Sequence, residues 1–600
     1  MTKILKKLSN YFPFFNWIIK LKDKKVIKSD LIAGITLALV MIPQSMAYAS
    51  IAGLPIYIGL YTAFIPTIIG ALFGSSWQMS TGPVTIISLM TAATLEPIAT
   101  SGVEGYIVYA SILAMIIGFF YIFLGLLKLG VIVDFLSHPV IIGFTNGVAI
   151  ITITSQLKKI FGITVEKGNN YLDTLHNTFE SAINSAHEPT LMIGIGSVLV
   201  LLILVNLFPK LPRVLIVLII FITISKVIDF EGLGGNVVGK IPEGLPNIHI
   251  PKINIEIISD LILSAIIIAL IGFTETVAVA KALATKTKQR VSANKELLGQ
   301  GFANIASSLS GGYGVAGSFS RSAVNIRAGA VTPLSSIISG IMVGITLLFL
   351  TPLLYHLPQA TLAAIIIVAV SALIKVKPII KAYNIQKSDG VIAFLTFVLT
   401  LIFSPNIENG LIIGVMLSLL VFVYKSMRPR LVEVGLYKDN IFRDTEIFGL
   451  KKSPDISVFM FDGTLFFANA GYFESKILEF ISSKDKVKIV IFDMLWLTDI
   501  DSSGQEVFEN LINRLEKYGI EVYICSLRVK VIQKFIKTGY IKKFGKKKIF
   551  VKLKDVISYL DEEYGDEIDL KPLLKYSPDK NVDVDLEKFI VKKFEKWESN

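Results

Sequence analysis

Apolar residues in this chain gather into long continuous runs rather than the spaced stripes of a soluble helix. Runs near 31–50, 56–73, 83–98, 105–127, 131–157, 190–208 and 212–229 form one set; runs near 258–284, 292–310, 320–330, 332–354, 359–375, 388–404 and 409–425 form a second. Most have the length a helix needs to cross the hydrocarbon core of a bilayer, so the pattern predicts a polytopic α-helical membrane protein of about fourteen segments. Two runs, 83–98 and 320–330, are short, follow Gly, Ser, Thr or Pro, and stand third in their sets of seven. Interrupted segments at matching places in two halves point to a seven-plus-seven inverted repeat with its binding site at the bilayer midplane. After Arg430 the pattern changes: β-rich runs (ISVFMF from 456, VKIVIFDM from 487, EVYICS from 521) alternate with helical stretches such as SSGQEVFENLINRLEKYG. A soluble α/β domain is expected there. The boundaries read as an N-terminal segment 1–30, a membrane domain 31–430, an α/β domain 431–565 and a loosely attached charged tail 566–600.

Charge fixes the orientation. The formal net charge is +12, but the lysines lie in short connections between apolar runs, where they orient helices in a lipid bilayer, so no nucleic-acid partner is inferred. Cationic residues crowd the stretch before the first run (Lys20 to Lys28) and the exits of even-numbered runs (Lys210 and Arg213; Lys286 to Lys295; Lys375 to Lys387; Lys425 to Arg430), whereas 404–409 has none. Both termini are therefore expected in the cytoplasm, with the chain multi-pass in the inner (plasma) membrane. The 53% hydrophobic composition excludes a single soluble core, and the lone Cys525 excludes an internal disulfide framework. His138, His187, His249 and His356 lack metal-ligand spacing, so no metal or cofactor is expected. Neither GxxxxGK[ST] nor HExxH occurs, so the chain is not expected to be an enzyme or an ATP-driven pump.

Within the runs a few residues stand out. Glu275 is a carboxylate inside a membrane-length apolar segment, which reads as a proton or cation carrier before it reads as a structural pair. Ser80-Thr81-Gly82-Pro83 and Gly317-Ser318-Phe319-Ser320 look like helix starts inside the membrane, whose free backbone N–H groups would attract an anion if they faced each other. Arg321 beside such a start opposes the helix dipole unless something negative is bound there. Gln44 and Tyr48, four residues apart after Pro43, offer uncharged hydrogen bonds from one helix face.

Three stretches carry a resemblance: IPQSMAYASIAGLPIYIGLY from Ile42, TGPVTIISLM from Thr81 and NKELLGQGFANIASSLSGGYGVAGSFSRSAVN from Asn294. Together they resemble the sulfate permease (SulP) anion transporters. LTDIDSSGQEVFENL from Leu497 is similar to the hallmark of the STAS domain (sulfate transporter and anti-sigma antagonist). The resemblance implies seven plus seven inverted segments divided into core and gate domains, a homodimer, and a cytoplasmic STAS domain open to a protein partner. By position it implies that Gln44, Tyr48, Val84, Ser320 and Arg321 contact substrate and that Glu275 carries the coupling proton. Val84 stands where some relatives have an aromatic residue, which leaves the size of the anion open. Val279, four residues after Glu275, departs from a sodium-coupled pattern. In anti-sigma antagonists the serine matching Ser502 or Ser503 is phosphorylated; a serine N-cap is the plain structural alternative.

The expected function is secondary active transport of an oxyanion, sulfate first, in symport with protons by alternating access. Bicarbonate or a C4-dicarboxylate such as fumarate, carried by symport or exchange, is the nearest alternative. An anion channel or a membrane-anchored STAS signalling scaffold is the alternative of another class.

Overall fold

The computed structural model describes residues 13–95, 102–130, 137–165, 168, 170–207, 213–242, 244–252, 255–404, 406–484 and 486–578. The start of the N-terminal segment, the 96–98 end of the third run, the 131–136 start of the fifth, 208–212 between the sixth and seventh, and the tail from 579 lie outside the described residues. The chain forms two compact units, 1–419 and 420–600.

In the first unit the helices are α1 (Lys24–Ile51), α2 (Ile56–Phe73), α3 (Thr85–Leu95), α4 (Gly102–Leu126), α5 (His138–Phe161), α6 (Tyr171–Ser185), α7 (Glu188–Leu207), α8 (Arg213–Val227), α9 (Ile255–Thr287) and α10 (Ala293–Leu309). They continue with α11 (Phe319–Arg327), α12 (Leu334–Ile345, prolonged by a π and a 3-10 turn to Leu354), α13 (Gln359–Ser371), α14 (Val376–Ile385), α15 (Lys387–Ile402) and α16 (Ile407–Met427). Every expected apolar run contains a helix. Nine helical stretches among the described residues are long and apolar enough to cross a membrane.

Two helices were not foreseen. Both α6 and α14 are amphipathic, with outward apolar residues (Leu172, Phe179 and Ile183; Val376, Ile380 and Ile385). A scan for membrane-length runs passes over them because their apolar residues are spaced, as in helices that lie along an interface. Each follows the fifth apolar segment of its set, so the repeat extends to its surface helices.

Packing is two-fold as well. Helix α4 packs against α10 as α2 does against α12, and α4 against α9 as α12 does against α1. These form one bundle; α5, α7, α13 and α15 pack together as another. Close approach depends on small residues: a Cβ on Gly118 would lie 2.9 Å from the Gly301 carbonyl, and one on Gly301 would lie 3.0 Å from the Gly118 carbonyl. Such contacts replace the hydrophobic drive that lipid cannot supply between helices.

The second unit is a seven-stranded sheet covered on both faces. Its strands are β3 (Arg430–Leu436), β4 (Phe442–Asp444), β5 (Ile456–Leu465), β6 (Ile489–Asp493), β7 (Leu497–Ile500), β8 (Glu521–Cys525) and β9 (Ile549–Phe550), ordered β4-β3-β5-β6-β8-β9 with β7 also on β5. Strands β5, β6, β8 and β9 run parallel. Alternation along each strand builds two cores: Val490, Phe492, Val522 and Ile524 meet Phe473 of helix α17 (Ala470–Ser482), Phe508 and Phe535 on one face. Ile489, Ile491, Tyr523 and Cys525 meet Val556, Ile557 and Leu560 on the other. Ile568, Leu570 and Leu573 are buried in that second core, so the packed body continues past 565, and Leu450 bridges to Pro578. A few apolar anchors among many charges suffice to hold this segment down.

Cys525 is fully buried, with its thiol against the Phe492 carbonyl at 3.7 Å, and burial pushes its ionisation well above the usual range. The thiolate is the reactive form. Maleimide at about pH 8 is therefore expected to leave the folded chain unlabelled and to label one site per chain in denaturant, read by mass spectrometry.

Candidate functional site

The two short helices meet at a feature the sequence did not reveal. At the front of the two expected helix starts, Ser80-Thr81-Gly82 and Gly317-Ser318 lie in extended strands β1 (Ser80–Gly82) and β2 (Ala316–Ser318), paired antiparallel with Ser80 opposite Ser318, Thr81 opposite Gly317 and Gly82 opposite Ala316, while Ser318 also caps α11, its Oγ accepting from the Arg321 N–H (3.4 Å). Helix α3 begins only at Thr85, beyond Pro83, and α11 begins at Phe319. Because the strands run in opposite directions and each leads into its helix, the two N-termini leave one small ladder. The expectation that they face one region holds; the local conformation differs because a short strand pair satisfies backbone groups that two isolated helix starts would leave open.

Side chains from flanking helices complete the ladder. The Ser80 N–H donates to Ser322 Oγ (2.9 Å), and the Gly317 N–H to Thr276 Oγ1 (3.0 Å). Thr67 Oγ1 donates to the Thr81 carbonyl (2.8 Å), and Gln300 Nε2 to Thr81 Oγ1 (2.9 Å). Asn304 accepts from the Val315 N–H and donates to its carbonyl, both at 2.9 Å. Irregular backbone at membrane depth persists only where protein meets its polar groups in this way.

Arg321 is 0% exposed, the largest fully buried side chain among the described residues. Its Nε donates to Ser80 Oγ (3.2 Å) and Nη1 to the Pro83 carbonyl (2.7 Å), so α11's arginine is tied to the strand and turn before α3. Nη2 has no hydrogen-bond partner. A Cβ at Gly82 (φ +156) would sit 3.1 Å from Nη2, so a side chain there would crowd the guanidinium. Arg321 lies within electrostatic reach of Tyr48, Tyr313 and Glu275.

The other foreseen residues fall at unequal distances from this centre. Tyr48 is buried on α1; Gln44, one turn earlier, is half-buried with its Oε1 unpartnered. Val84 is buried between Pro83 and α3, and its carbonyl accepts from the Ser88 N–H (3.0 Å) and Oγ (2.9 Å). Ser320 is exposed, 3.3 Å from Ser318 Oγ. Glu275 is half-buried on α9, next to the Thr276 that holds β2, and its Oε2 has no partner. Tyr313 was missed: it is fully buried, and its hydroxyl is 2.9 Å from Ser88 Oγ. The only sequence signal for it was a tyrosine between glycines just before β2.

In the second unit a helix, α18 (Ser502–Lys517), begins at the foreseen serines, but the cap is Asp501. Its Oδ1 accepts from the Gly504 N–H (2.7 Å) and its Oδ2 from the Phe467 N–H (3.0 Å). Ser502 is the first helical residue and exposed; Ser503 is half-buried. An aspartate accepts more strongly than a hydroxyl, which frees the serines from capping.

The profile described as the sulfate permease family matches residues 27–396, and the STAS domain profile matches 448–556. The chain belongs to the sulfate permease family. It is 33% identical over 577 residues to "Sulfate transporter 4.1, chloroplastic" of Arabidopsis thaliana, covering 92% of this chain and 82% of that protein. A Mycobacterium tuberculosis protein described as a probable sulfate transporter is 30% identical over 534 residues, 88% of this chain and 95% of that one. Among solved structures, the murine Solute Carrier 26 family member A9 anion transporter in its inward-facing state aligns with TM-score 0.85 at 21% identity, covering 94% of this chain and 96% of that one. The transmembrane domain of the cyanobacterial bicarbonate transporter BicA aligns with TM-score 0.56 at 23% identity, covering 66% and 98%. The chain is thus a membrane-spanning transporter with a C-terminal STAS domain, not an enzyme.

Thr276→Val removes the acceptor for the Gly317 N–H while keeping volume, and is expected to destabilise the protein by about 1–3 kcal/mol. Thr285→Val, whose hydroxyl bonds only its own helix at the Lys281 carbonyl, is expected to stay within about 0.5 kcal/mol. Thermal unfolding in detergent compares them.

Proposed function

We propose that this protein is a secondary active transporter of a small oxyanion, sulfate first, and that it moves the anion together with protons by alternating access. The observation that carries the reading is the unpartnered Nη2 of a fully buried Arg321, tied to the turn before α3 at the meeting point of two half-helices. A guanidinium offers paired N–H groups to an oxyanion, and helix N-termini add partial positive charge. The names of the sulfate transporters it resembles support sulfate over bicarbonate or fumarate as the first substrate.

In this reading Arg321 and the N-termini of α3 and α11 hold the anion, with Tyr48, Gln44, Val84 and Ser320 around it. Glu275 takes a proton when the anion binds, because a carboxylate and a dianion in one low-dielectric region repel. The ladder makes the two half-helices one rigid carrier element that moves against the other bundle, in a bilayer with both termini cytoplasmic and as a homodimer. In the same reading Ser502 or Ser503 accepts a regulatory phosphate, a dianion that meets the N-terminus of α18.

Magnitudes bound the coupling. Sulfate with one proton carries one net negative charge inward, which costs about 2.3 kcal/mol against 100 mV. One pH unit returns about 1.4 kcal/mol per proton, so a single proton concentrates sulfate only above a gradient of about 1.7 units. A second proton, or an anion of lower charge, removes that barrier.

Uptake of labelled sulfate into proteoliposomes is expected to rise as the outside is acidified. Glu275→Gln is expected to lose the acid stimulation, and Arg321→Gln to fall at least about tenfold in uptake. Equal acid stimulation in Glu275→Gln would remove that residue from coupling, and currents far above carrier turnover would make the protein a channel.

A further inference from the structure

A second cationic region lies away from Arg321, in a cavity of about 660 Å³ between the end of α1, the end of α3, the last turns of α5, and α6. Lys158, Lys159 and Lys240 line it, and among the described residues its lining includes no Asp or Glu. Lys159 is half-buried, and its Nζ donates to Ser50 Oγ on α1, so it reaches across to the other bundle rather than capping its own helix. Ala92 on the wall stands about 12 Å of helix rise beyond Val84, which leads into the same α3. By the count of cationic connections this is the end of the helices where lysine is not needed for orientation.

We propose that this cavity is an anion-capture site centred on Lys159, which holds a small oxyanion before it reaches Arg321. The proposal rests on the transport reading above. Three cations with no carboxylate among the described lining residues concentrate anions at the mouth of a site. Binding to Lys159 competes with its bond to Ser50, and so loosens the contact between the two bundles that movement must break.

The test is sulfate uptake by the full reconstituted chain carrying Lys159→Cys in a Cys525→Ser background. KM is expected to rise about tenfold with maximal rate within about twofold. The cationic reagent aminoethyl methanethiosulfonate is expected to restore KM and neutral methyl methanethiosulfonate to leave it high. Uptake with unchanged KM overturns the capture site alone, and no uptake by the unaltered chain overturns the transport reading as well. Sulfate is expected to slow modification of the introduced thiol in phosphatidylcholine vesicles. Protection by added phosphatidylglycerol but not by sulfate assigns the cavity to a lipid headgroup and overturns the proposal. Should Lys159→Cys not fold, Lys158→Gln with Lys240→Gln, both exposed positions, is expected to raise KM about threefold, and an unchanged value overturns it.

Discussion

Everything central in the membrane unit depends on three residue pairs of antiparallel backbone. A strand pair this short has no independent stability in water, and in lipid each unmet N–H or carbonyl costs several kcal/mol. Here the ladder survives because Ser322, Thr276, Thr67, Gln300 and Asn304 reach it from α11, α9, α2 and α10. The strands in turn fix where α3 and α11 start. The polar residues in these otherwise apolar helices are thus explained by backbone bookkeeping before any appeal to a solute, and only the groups left over are candidates for chemistry.

Two of those leftovers carry opposite charges. Arg321 spends two of its nitrogens on Ser80 and Pro83 and keeps Nη2; Glu275 keeps Oε2. Burying two charges without pairing them is among the costliest things a fold does. Among the described residues no ion pair joins these two, although each lies in the field of the other. A purely structural pair would close that gap, so the separation favours roles in which each meets a third charged species.

How much of this was legible follows from the range of the interactions involved. Apolar runs are local, and all fourteen were readable, as was the unusual placement of Glu275 and Arg321. The pairing of Thr81 with Gly317 joins residues far apart in sequence, and in two strands of three residues only Thr81 favours a strand, too little to read as one. The helices α6 and α14 were hidden for the opposite reason: their apolar residues are spaced at helical intervals, which a search for bilayer-length runs discards. At α18 the choice between Asp501 and Ser502 as cap depended on Phe467, whose N–H the aspartate also accepts. Tyr313 was missed because its role comes from Ser88, on a different half-helix.

The repeat also restricts how the site can move. Strands β1 and β2 tie α3 to α11 by backbone bonds, and Arg321 adds a side-chain tie across the same junction. Separating the two half-helices would expose several backbone groups to a region without water, a cost of several kcal/mol each. Among the described residues no strand pair ties α5, α7, α13 and α15 to one another, and the bond of Lys159 to Ser50 joins the bundles through side chains alone. A displacement that kept these bonds would run between the bundles and not through the junction, because α3, α11 and Arg321 are tied to one another as one piece.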